Sequence, residues 1–199
     1  MQEVLKNVVK DTIAPLFKGE GFMRRGNNFA RISPSFFVTA NIQASKWNTQ
    51  DEVEFFINTG IHIEELFGTV YLYPKPVFPT VLSSVLQIRS TELTKNSNWY
   101  KLTPDSNVEQ LKQRITKDIS GYILPHLQKF EKVEDVIRVM ELREKAGIYE
   151  NPHHLTALYR LTGDMEQAQA HMTKVYNELK LDSQKEFSAG LALRLGLRV

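Results

Sequence analysis

Asn41, Gln43 and Ser45 occupy every second position of one stretch, and Asn58 and His62 recur at even spacing in the next. Successive side chains of an extended chain point to opposite faces, so residues of like parity stand together. Strand parity therefore predicts a polar sheet face carrying Arg31, Asn41, Gln43, Ser45, Asn58 and His62, extended by Arg89 from a later strand. Amides and hydroxyls supply donors and acceptors in pairs. Phe37, Trp47 and Phe56 share the parity and add apolar walls, which is the composition of a recognition groove. The expected chemistry is binding, of a protein partner or a small polar ligand. A rival use is catalysis, with His62 acting as base toward Ser45, which demands hydrogen-bond reach between them and a third residue orienting the ring. The plain alternative is that these groups face solvent or are satisfied beneath C-terminal helices.

Other chemistries find less in the chain. His62, His126, His153, His154 and His171 include no metal-ligand spacing, and His153 and His154, about 100° apart on a helix, read as surface residues near its start. There is no phosphate loop, dinucleotide fingerprint or nucleophile elbow. Asp51, Glu52 and Glu54 at a strand entrance and Glu64 and Glu65 after a strand sit where charge marks solvent, whereas acid/base catalysis would need two carboxylates held across a cleft in unlike environments. Arg24 and Arg25, with Phe22, Phe29, Lys46 and Trp47 nearby, suggest a basic aromatic patch for nucleic acid, a lesser alternative beside a solvated turn. No catalytic residue, metal or cofactor is expected.

The positioning elements follow from periodicity. Val4, Leu5, Val8, Val9, Ile13 and Leu16 recur at helical spacing, with Pro15 expected to kink or stop the helix. Strands are expected over 28–33, 36–47 and 53–63, joined by short turns into an antiparallel meander. Pro74, Pro76 and Pro79 make 67–79 irregular or an edge. A further strand is expected over 86–94, with a helix opening over 81–88 as the alternative. Ser106 and Glu109 form a capping-box pattern before Val108, Leu111, Ile115 and Ile119. Helices then follow from Val133, from Asn151 with Pro152 at the first position, from Asp164, and from Ser183. Tyr159, Gly163, Ala168 and Met172 resemble one tetratricopeptide unit, but a single copy reads as an antiparallel helix pair. Strands grouped first and helices after predict an α+β fold: a mostly antiparallel sheet packed by N-terminal and central helices over 1–130, then a helical extension over 131–199 packed on the first part.

Composition sets the frame. The 199 residues are 42% hydrophobic and 24% charged, ordinary for a globular chain, with a net charge of +2. No stripe of Lys and Arg marks a dedicated nucleic-acid binder. Cysteine is absent, which removes disulfides and thiolate chemistry and fits the cytosol. The start lacks a secretory pattern, and the apolar run 66–82 is broken by Gly68 and three prolines, so no membrane span is expected.

The pattern G-F-x-x-x-G-x-x-F (Gly21 to Phe29), N-x-Q-x-S (Asn41, Gln43, Ser45), F-x-I-N-x-G (Phe55 to Gly60) and W-x-x-L (Trp99, Leu102) resembles the bacterial domain of unknown function 4304 over most of 1–130. That resemblance implies no reaction and no catalytic residue. It falls on the same polar face. The expectation is a cytosolic binding module, of which an immunity or antitoxin-like protein is one form.

Overall fold

The computed structural model describes residues 1–94, 98–148 and 151–199. They form two compact units, residues 1–62 with 78–131, and residues 63–77 with 132–199. The segment 63–77, which the sequence leaves inside the first part, groups with the helices.

The first unit is built on an antiparallel sheet of β1 (Met23–Arg25), β2 (Asn28–Ser33), β3 (Phe36–Ala44), β4 (Val53–His62) and β5 (Leu86–Arg89) in sequential order, with β6 (Tyr100–Leu102) sharing the outer edge of β4 with β5. Two connections are two residues long. Gly26, at φ +60°, and Asn27 join β1 to β2, and Pro34 and Ser35 join β2 to β3. One sheet face is the core side, where Phe29, Val38, Ala40, Phe55, Ile57 and Ile61 are buried. Against it lie α1 (Gln2–Val8) and α2 (Ala14–Gly19), and α4 (Val108–Asp118) and α5 (Leu124–Leu127). Phe17 stacks on Phe29 at 4.8 Å, and the Tyr100 hydroxyl donates to the buried carboxylate of Asp118 at 2.9 Å. Burial, and then that carboxylate, push the Tyr100 hydroxyl well above its usual range.

Pro15 does not stop its helix, which runs on through α2 to Gly19. A π-helical turn, Val9–Ile13, precedes it, and another, Ile119–Ile123, precedes Pro125. The wider turn accommodates the missing proline N–H and the ring while the helix continues. The expected strand over 86–94 stops at Arg89, because Ser90–Thr94 forms a short helix, α3, in which Glu92 accepts from the Arg89 N–H and Thr94 donates to the Ser90 carbonyl. The α4 cap is Asn107, whose Oδ1 accepts from Gln110 N at 3.0 Å, while Ser106 closes the preceding turn by accepting from Thr103 N.

The second unit contains α6 (Val133–Lys145), α7 (Pro152–Leu161), α8 (Met165–Glu178) and α9 (Asp182–Leu195). Asn151 and Asp164 cap α7 and α8 as their sequences predict. The expected Ser183 cap is not used: the cap position lies two residues earlier, at Leu181, without a side-chain bond, and α9 begins at Asp182. Among the described residues no helix is long and apolar enough to cross a membrane.

Candidate functional site

Residues directly opposite in an antiparallel pair share a face. The register aligns Arg25 with Asn28, Asn28 with Asn41, Asn41 with Asn58, and Asn58 with Arg89. One row thus crosses five strands, three asparagines between two arginines. Asn58 Nδ2 donates to Asn41 Oδ1 at 2.9 Å and to Gln43 Oε1 at 2.8 Å, so its two hydrogens hold two neighbours in fixed orientation. Asn58 is buried, Asn28 and Asn41 are half-buried, and Arg25, Gln43 and Arg89 are exposed. The row is ordered beneath and open at its ends.

An aromatic cluster borders it. Phe56 stands opposite Gln43, the Arg89 guanidinium lies 4.7 Å from the Phe56 ring centre, and Trp99 meets that ring edge-on at 4.3 Å. The break between β5 and β6 along β4 brings Trp99 here, with the Ser90 hydroxyl accepting from Ile57 N inside the break. Parity alone misses Trp99 and Asn28. Their signals are Trp99 within the W-x-x-L pattern and the two-residue turn that fixes Asn28 opposite Arg25.

The other end of the face is closed. Thr39 Oγ1 and Ser84 Oγ are 2.9 Å apart, over Gly60. His62 is fully buried, with Nδ1 2.8 Å from the Ser83 carbonyl oxygen and 3.0 Å from Ser83 Oγ. A carbonyl only accepts, so Nδ1 carries the proton.

Four expectations are corrected. Arg31 stands opposite Val38, on the other face, where it donates to the Glu20 carbonyl and lies over Phe22 at 5.1 Å. The two-residue turn pairs Ser33 with Phe36, so odd positions of β2 meet even positions of β3. Ser45 and His62 do not meet: His62 pairs with Phe37, eight residues from Ser45, or roughly 27 Å along a strand. Ser45 instead accepts from Trp47 N, and no proton transfer can join it to His62. Trp47 lies beyond the end of β3, 79% exposed, with Lys46 Nζ 4.9 Å from its ring. Arg24 and Arg25 point to opposite faces, since Arg24 pairs with Phe29 and Arg25 with Asn28, so they do not make one basic patch.

The histidines expected at the surface of α7 are buried, His153 at 9% and His154 at 6% exposure. His153 Nε2 is 2.7 Å from Ser188 Oγ, and His154 Nε2 is hydrogen-bonded to the Tyr71 hydroxyl. Burial, with Tyr73 nearby, raises that hydroxyl to about 12. His171 bridges Thr156 Oγ1 at 2.7 Å and Glu144 Oε1 at 3.3 Å. Thr156 and Ser188 are themselves sealed from solvent, so these hydroxyl–imidazole pairs hold helices together and offer no accessible nucleophile. Among the described residues no group of three or more histidines and carboxylates is placed to hold a metal ion.

The family model of a domain of unknown function (DUF4304) matches residues 13–129. No curated protein and no solved structure matches the chain.

Proposed function

The chain belongs to the DUF4304 family of domains of unknown function, and from that premise we propose that its first unit is a non-enzymatic binding module for a protein partner. The observation that carries this reading is the Arg25–Asn28–Asn41–Asn58–Arg89 row. Four interstrand steps of roughly 4.8 Å give it a span of about 19 Å, longer than a small polar ligand needs and suited to a stretch of polypeptide. Its charged members are both cations, so the complementary surface carries carboxylates near its ends. The asparagines supply amide groups that match peptide N–H and C=O groups, and Phe56 with Trp99 offers an aromatic flank. The lack of cysteine supports a cytosolic setting. An immunity or antitoxin-like role is one concrete form, in which the partner is an acidic toxin domain encoded by a neighbouring gene.

The test is co-purification from the native host with tagged wild-type chain and with R25E/R89E, followed by mass spectrometry. A protein recovered with the wild type and reduced about tenfold or more with R25E/R89E is the expected result, since rim charges that steer association are reversed. Equal recovery with both chains would overturn the assignment of the row. Small molecules retained in native mass spectra of the wild type, with no protein, would favour the small-ligand reading instead.

A further inference from the structure

We propose that the second unit holds a site for a small zwitterion with an apolar side chain, a free amino acid of the leucine type, independent of the sheet row. The site is a cavity of about 260 Å³ lined by Glu65, Leu66, Arg160, Leu161, Arg194 and Leu195, among others. Its size lies just under the roughly 300–1,000 Å³ range of larger ligand sites, which suits a metabolite of a few heavy atoms.

The two arginines are held in place. Arg160 Nε donates to the Leu195 carbonyl at 2.9 Å, at the C-terminal end of α9, and Arg194 Nε donates to the Thr69 carbonyl at 2.8 Å. Arg160 is thus anchored to the residue next to Arg194. Among the described residues neither guanidinium has an ion-pair partner, and the Nη groups of both make no hydrogen bond. Glu65 lines the same cavity and forms no ion pair with either. Three residues of both charge signs therefore line one space without an ion pair among them.

Each group matches a part of one ligand. Anchoring through Nε leaves the outer edge of the guanidinium fork for a carboxylate, which two such forks grip with charge-assisted bonds. The anchoring bonds also remove rotamer freedom that a free arginine would lose on binding. Glu65 is the counterpart of an ammonium group. Leu66, Leu161 and Leu195 supply the wall for a hydrocarbon side chain. A simple dianion would leave Glu65 as a repulsive neighbour, and an apolar acid would leave it without use.

Isothermal titration calorimetry of the full chain with L-leucine, leucinamide, N-acetyl-L-leucine and inorganic phosphate tests this. L-leucine is expected to bind saturably at one site. Leucinamide, which lacks the carboxylate, is expected to bind about tenfold or more weakly, as is L-leucine to R160Q or R194Q, the loss of a charge-assisted bond being of that size. N-acetyl-L-leucine is expected to lose affinity through Glu65. No saturable heat from L-leucine, equal binding of leucinamide or of the acetylated form, or tighter binding of phosphate would each overturn the proposal. The ligand series on wild-type protein decides the matter even where a substitution at Arg160 or Arg194 loosens the fold.

Discussion

A methyl group on Gly60 would sit 2.7 Å from both Ser84 Cβ and Ser84 Oγ and 2.9 Å from Thr39 Oγ1, all of them buried. Glycine is required there by the close passage of the 80–85 segment over the sheet, not by an unusual backbone angle. Gly60→Ala is therefore expected to destabilise the first unit by about 1–3 kcal/mol through overpacking. Ser84→Gly in the same chain should recover part of that loss by removing the nearer contact. Urea unfolding of the single and double variants measures both effects, and additive losses would refute the stated clash. Hydrogen bonding fixes the identity of Asn58. Two acceptors on the neighbouring strand need two hydrogens from one nitrogen, which an amide has and a hydroxyl lacks.

Asn107 caps α4, so Asn107→Ala is expected to cost about 1 kcal/mol in denaturant unfolding. The sequence pattern points instead to Ser106, whose hydroxyl serves the turn before the helix, and replacing it should leave α4 itself capped. The α7–α8 pair carries a pH dependence. His153 is held below the ordinary 6.5 by burial and then by His171, and His171 by burial against the opposing pull of Glu144. Both are more basic in the unfolded chain, which binds more protons between the lowered folded values and 6.5. Stability should thus fall as pH drops through 6.5 and below, with thermal melts at about pH 7.5 and about pH 5.5 showing the difference and H153Q/H171Q flattening it. Element types were legible where local signals agree with tertiary packing: the alternation from Phe36 onward is the strand β3, and Asn151-Pro152 opens α7 as its chemistry predicts. Relative parity between strands was less legible. It depends on turn length, and the two-residue Pro34-Ser35 turn carries Arg31 to the core side while leaving Asn41, Asn58 and Arg89 in line. Trp99 joins the site through a break between β5 and β6 that no local pattern announces.

At the scale of the molecule the division into units is decided by residues 63–77. Their buried Leu66 and Val70, the Tyr71 bond to His154 and the Arg194 bond to Thr69 belong with the helices. A chain ending at residue 131 loses those partners. Limited proteolysis of that truncated chain should find rapid cleavage within 63–77, while the full chain resists there, because the segment has too few contacts left to hold its backbone. Equal resistance in both would show that the segment is held by other means. The polypeptide crosses between the units at 62/63, 77/78 and 131/132. A protease that clips any one junction therefore leaves two intact tethers, and the halves of a nicked molecule stay joined as long as each retains its fold.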